Sequence, residues 1–297
     1  MMTANPILLQ KKYARVIECI RDSNKMIDFD NPNTFPKELK NWGTEFEKMI
    51  LRRVNTDSIE EWWQIEHQLQ DIRIGESKLV TDFVKDNMDT EIAVCHCTRI
   101  LDENEYWKHG LVTAGGKNSA GEKRLQKLLV DIGLDDDKIE EVFSHVYYLW
   151  NRDKQSRTKP VHFFIDKSQV YKDDQLNHFA INLGGEILRW SLEAVDRKLY
   201  RKEPYKRLWI MGRPSVITFK IKLGDIHEIY RNRLIAEIVK YNITKDIFGF
   251  GYEFEFTGMT VGDVPPQNIL SIEEIKDYIQ MQEKYPDYKG FYDELKS

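Results

Sequence analysis

Only three cysteines, Cys19, Cys95 and Cys97, occur in 297 residues, too few and too unevenly spaced for a disulfide framework. No apolar run approaches the roughly 18 residues that a membrane span requires. The opening MMTANPILLQKKYARVIECI places its basic residues after its apolar ones, the reverse of the order in a secretory signal. Together these absences imply a reduced, soluble, cytoplasmic protein with no membrane partner. An excess of positive charge is also missing: 44 Lys and Arg stand against 49 Asp and Glu, for a net charge of -5. No global field therefore draws nucleic acid to the chain, and any such contact must come from a local patch. A phosphate loop is absent too, because Gly115-Gly116-Lys117 lacks the spacing that aims successive amides at a triphosphate.

What is present divides near residue 90. Residues 1–89 read as a helical region. Leu9, Tyr13, Val16, Ile17 and Ile20 keep a helical stripe, and a second helix from about Pro36 sets Leu39, Trp42, Phe46 and Ile50 on one side. A third starts at the capping box Ser58-x-x-Glu61 and aligns Trp62, Ile65, Leu69 and Ile72. This prefix shows no chemistry and fits a lid or a dock for an inhibitor protein.

Residues 90–297 alternate strands with helices, and with the helical region ahead of them the expected fold class is α+β. Ser119 and Glu122 cap one helix, and Ile139, Val142, Phe143, Val146 and Trp150 form the stripe of the next. VHFFID reads as a strand, followed by a helix over about 174–200. VITFKIKL reads as another strand, with Asp225-x-x-Glu228 capping a helix to about Tyr241. FGFGYEFEFTG (248–258) reads as the last strand, and Ser271-x-x-Glu274 as the cap of a final helix.

Two stretches carry the candidate chemistry. In EIAVCHCTRI, strand alternation sends His96 and Thr98 to one face and Cys95 and Cys97 to the other. A single tetrahedral ion cannot collect Cys95, His96 and Cys97 from opposite faces, so no metal is expected. In the 248–258 stretch, Glu253 and Glu255 share a face, where two carboxylates must meet water or do work. Glu186, directly after the helix-weakening Gly184-Gly185, is a further candidate carboxylate. The segment 197–213 interleaves seven Lys and Arg with Tyr200, Tyr205 and Trp209, a mixture able to grip phosphates and stack a base.

The run His96-Cys97-Thr98-Arg99 followed by Gly110-Leu111, then FFIDKSQVY, then a late Glu-bearing strand ahead of VPPQNILSI resembles the His-Tyr-Glu branch of the ADP-ribosyltransferase superfamily over residues 90 to 275. The resemblance implies a split β-sheet core with flanking helices and NAD as co-substrate. It implies that His96 and Thr98 bind the adenosine-side ribose of NAD and that the backbone of Cys97, where the family usually has glycine, holds the nicotinamide amide. Tyr171, with Ser168 nearby, matches the aromatic that stacks on nicotinamide, and Glu253 matches the family's glutamate, with Glu255 beside it. The expected activity is mono-ADP-ribosyl transfer with release of nicotinamide, as by an intracellular toxin or phage-defence effector. Its acceptor would be nucleic acid, RNA above DNA, or protein, and an antitoxin or inhibitor protein is an expected partner. The alternative is a noncatalytic module that binds nucleic acid or protein through the 197–213 patch and the helical prefix.

Overall fold

The computed structural model describes residues 26–53, 69, 72–113, 117–152, 160–169, 188, 191, 192, 194, 195, 212–249, 252–254 and 256–275. Along these run β1 (Ile27–Asp28), α1 (Gly43–Arg53), α2 (Lys78–Asp86), β2 (Glu91–Ile100), α3 (Glu103–His109), α4 (Ala120–Asp131), α5 (Asp136–Arg152), β3 (His162–Phe164), β4 (Arg213–Lys222), α6 (Glu228–Phe248), β5 (Thr257–Met259) and β6 (Ile269–Glu274). The chain is thus α+β. Two units emerge, one of residues 1–93, 221–224 and 228–253, the other of 94–220, 225–227 and 254–297. No described helix is long and apolar enough to cross a membrane.

In the first unit, Leu39, Trp42, Phe46 and Ile50 are all buried, so the stripe read from the sequence is the face this segment hides. Of the third predicted stripe, Leu69 and Ile72 are buried; the helix at 9–20 and the Ser58 cap lie outside the described residues. The first three amides of α2 each find an acceptor. Ser77 accepts from the Val80 amide, and the Glu45 carboxylate accepts from the amides of Lys78 and Leu79 at 3.0 Å each, which answers the unpaired donors of a helix start. β1 pairs in parallel with the first residues of β2, Ile27 opposite Ile92.

α6 departs from expectation at both ends. Asp225 lies in a 3-10 turn rather than at a helix cap, and the helix continues past Tyr241 to Phe248. The added turns are held by tertiary contacts: Asn242 Nδ2 donates to the Leu39 carbonyl at 3.3 Å and Trp42 Nε1 donates to Asp246 Oδ2 at 2.8 Å. Gly249 then stops it in the left-handed region, φ +68, its amide donating to the Lys245 carbonyl. Phe248 is therefore helical, Tyr252–Phe254 are not in a strand, and β5 begins only at Thr257, which corrects the single strand expected over 248–258. Tyr252, Phe254 and Phe256 are nonetheless all buried. Their alternation recorded burial, although none of the three lies in a strand.

In the second unit the strands lie in the order β5-β3-β2-β4-β6. β2 and β3 are antiparallel with Cys95 opposite Phe164, and β3 and β5 are antiparallel with Phe163 opposite Gly258. A side chain at Gly258 would collide with the Phe163 ring, so the glycine makes room for that ring. β6, expected as a helix from Ser271, instead pairs antiparallel with β4, Ile217 opposite Ile272. The outer edge of β4 needs a partner for its main chain, and that demand outweighs a four-residue capping pattern. The Ser271 hydroxyl bonds the Glu273 carboxylate along the strand instead.

Cys95 and Cys97 point into the core that α4 and α5 close, together with Leu129, Val142, Val146 and Trp150. Ser119 caps α4 by accepting from the Glu122 amide at 3.0 Å, as its sequence indicates, while the Glu122 carboxylate returns to the Asn118 amide.

Candidate functional site

β2 alternates through its middle as a two-sided strand, so burying the cysteines leaves His96 and Thr98 on the opposite face, both half-buried. The His96 ring is fixed by its Nδ1, 2.8 Å from the main-chain oxygen of His162 on β3. A carbonyl only accepts, so Nδ1 carries the proton and Nε2 keeps its lone pair. Packing round the ring disfavours the imidazolium and lowers its pKa from the ordinary 6.5; the His162 carbonyl opposes that effect and the neighbouring His162 side chain adds to it. His96 is therefore a neutral ring with a defined acceptor.

Thr98 is hydrogen-bonded to the side chain of Tyr106, which α3 brings back over the strand. That helix follows β2 after a two-residue turn and is capped by Asp102, whose carboxylate accepts from the Asn104 amide at 3.0 Å. Burial pushes the Tyr106 hydroxyl up, while the Thr98 bond and the charge of Arg124 pull it down, leaving a protonated phenol. Arg124 pairs with Glu105 at 3.5 Å, and Glu105 also lies 4.0 Å from His109. Arg213 pairs with Glu103, and the buried Arg99 donates to the Gly212 carbonyl at 2.8 Å. A hydroxyl pair and a neutral imidazole thus lie together near the C-terminal end of β2, with Arg124 and Arg213 each held by a glutamate of α3, while Arg99 falls by alternation on the cysteine side.

The remaining predicted residues fall elsewhere or outside the described residues. The Cys97 thiol is buried in the core and pushed up to about 12 by that burial, so it is neither thiolate nor ligand, and only its main chain faces any site. Ser168 is engaged locally, its hydroxyl donating to Asp166 Oδ2 at 2.8 Å and its amide to Oδ1 at 2.6 Å. Its neighbour Lys167 pairs with Glu273 at 2.6 Å, which holds that carboxyl below its usual range. Glu273 stands opposite Val216, a member of the core around Cys95 and Cys97, so these partners belong to the cysteine side of the sheet rather than to the His96 side. Glu253 is half-buried and belongs to the first unit. Glu255, Glu186, Tyr171 and the stretch 197–211 lie outside the described residues. A cavity of about 460 Å3 is lined by α4 and α5, including Glu122, Glu140, Phe143 and Tyr147, and by none of the predicted site residues.

Tyr106, Arg124 and the His162 carbonyl have no counterpart among the residues that the sequence singles out. The sequence does carry one signal for the first: Asp102 followed by acidic Glu103 and Glu105 marks a helix start directly after the strand, and a helix that folds back there brings its fourth residue near the strand end.

The lowered pKa of His96 sets a pH dependence. Its folded value lies below 6.5, so on acidification the unfolded chain takes the proton first. The stability associated with the neutral ring is complete above pH 6.5 and is lost as pH falls through the folded value. Urea midpoints of wild type and His96→Gln compared at pH 7.5 and pH 5.5 should show wild type losing ground to the variant at the lower pH. An unchanged difference would mean the ring titrates alike in both states.

Comparison with protein-family models, with curated proteins and with solved structures finds no match in any of the three.

Proposed function

We propose that this chain is an NAD-dependent ADP-ribosyltransferase of the His-Tyr-Glu type. The observation that carries the proposal is the pairing, on one face of the central strand, of a neutral, oriented His96 with a hydroxyl at Thr98. Two further features support it. α3 ends at Gly110 and is followed by Leu111, the order that the family motif has after its His-x-Thr strand. Counting on from Cys95 opposite Phe164, His162 stands opposite Cys97, so β3 begins beside the motif and brings its main-chain oxygen to the His96 ring.

In this reading His96 Nε2 accepts a hydrogen bond from a ribose hydroxyl of NAD, and Thr98 with Tyr106 offers a second polar contact. Glu253 is the carboxylate that stabilises the oxocarbenium-like ribose as the bond from its C1′ to nicotinamide breaks. Nicotinamide leaves neutral with the bonding electrons. The acceptor forms a new bond to C1′ and gives up a proton. The acceptor itself is assigned to nucleic acid or protein, with RNA favoured because of the basic and aromatic 197–213 segment.

Incubating the chain with NAD labelled on its adenylate phosphate and with separate protein, RNA and DNA pools tests this directly. The expected result is nicotinamide release with label in one pool, RNA first among them. Nicotinamide release no greater than from heat-denatured protein would refute the enzyme, and label confined to the protein pool would reassign the acceptor.

A further inference from the structure

α6 is buried on all sides through its middle, from Leu234 to Val239, and Glu237 lies among those residues only 5% exposed. A carboxylate in such a place is tolerated only when its oxygens are answered. Both are. Oε1 takes the Lys240 ammonium at 2.8 Å, one turn along the same helix, and Oε2 accepts from the Tyr252 hydroxyl at 2.9 Å. Tyr252 is itself buried and precedes Glu253. The stretch Tyr252–Phe254 belongs to no strand, and the bond from the buried Tyr252 hydroxyl to Glu237 ties it to the middle of α6.

We infer that Glu237, held by Lys240, is a positioning residue that fixes Tyr252 and thereby the place of Glu253. This inference rests on the proposed transferase activity for its catalytic consequence, though the anchoring is measurable without it. Glu237 itself touches no substrate. Its effect on turnover passes through one hydroxyl and one peptide bond.

The test uses the full chain with Tyr252→Phe, which removes only the hydroxyl, and with Glu237→Gln, which keeps the shape and removes the charge. Amide hydrogen exchange at Tyr252 and Glu253 should quicken about tenfold in Tyr252→Phe, the factor that loss of one hydrogen bond of ordinary strength allows, while amides in the middle of α6 keep their protection. If the chain releases nicotinamide from NAD, kcat should fall by a similar factor with KM unchanged, because a displaced carboxylate weakens the transition state more than the ground state. Unchanged exchange in Tyr252→Phe would overturn the anchor, whatever Glu237→Gln does to folding. A tenfold change in exchange with wild-type kcat, in a protein that Glu253→Gln inactivates, would overturn the positioning role alone. A wild-type protein inert toward NAD would sink the transferase reading and with it the positioning role, and the exchange result would still decide the anchor.

Discussion

Gly110→Ala is expected to destabilise the protein by more than about 3 kcal/mol, the sum of a backbone strain of roughly 1–3 kcal/mol and the loss of neighbouring hydrogen bonds at about 1 kcal/mol each. Gly110 ends α3 with φ +75 and ψ -163, a combination essentially closed to residues with a side chain. A Cβ added there falls on the Val264 carbonyl oxygen, far inside van der Waals contact. That oxygen cannot easily retreat, because it accepts from the Leu111 amide at 2.9 Å while the Val264 amide donates to the Leu111 carbonyl at 2.9 Å. Relief of the collision must break this two-bond bridge or pull the Gly110 amide from the Tyr106 carbonyl, 2.8 Å away. Gly249 is the control. It also has positive φ, +68, but a Cβ added there would meet nothing within 4 Å, so Gly249→Ala should cost only about 1 kcal/mol of conformational strain. Urea unfolding of both variants separates collision from conformation, and a Gly110→Ala cost no larger than that of Gly249→Ala would show that the bridge yields freely.

The elements most legible in the sequence are those whose pattern and packing agree. The α5 stripe of Ile139, Val142, Phe143, Val146 and Trp150 is buried throughout, and the β2 alternation correctly separates the cysteines from His96. Where local signals are short, tertiary demands prevail. Ser271-x-x-Glu274 resembles a helix cap, yet the open edge of β4 recruits the segment as a strand. Asp225-x-x-Glu228 likewise gives way to a 3-10 turn, and α6 outruns its apolar stripe because Trp42 and Leu39, about two hundred residues away in sequence, bind Asp246 and Asn242. No window of local sequence contains those partners.

The same distinction governs the candidate site. That His96 and Thr98 share a face follows from period two alone. That His96 Nδ1 meets the His162 oxygen follows from the register of β2 on β3, which periodicity does not determine. Ser168 illustrates a local competitor that residue types do make visible: an aspartate two positions earlier forms an Asx-type turn and occupies the hydroxyl. Tyr106 is hidden for the opposite reason, since its meeting with Thr98 depends on the angle at which α3 leaves the strand.

Under the proposed transferase activity, Glu253→Gln is expected to lower the kcat for nicotinamide release by about 100-fold or more with little change in KM, the usual consequence of removing a group whose charge matters only as the ribose becomes cationic. Thr98→Ala and Tyr106→Phe should act on the other parameter. Each removes a neutral hydrogen-bonding group worth about 0.5–1.5 kcal/mol to substrate and transition state alike, so KM should rise by roughly 2- to 13-fold while kcat holds. The contrast matters more than either number, because general destabilisation of the protein would depress active concentration in all three variants and leave KM untouched. Glu255→Gln completes the comparison. A full loss in Glu255→Gln with wild-type turnover in Glu253→Gln would move the carboxylate role by two residues. Wild-type turnover in both would remove it from this segment, and the cationic ribose would then need another source of negative charge, with Glu186 the first to substitute.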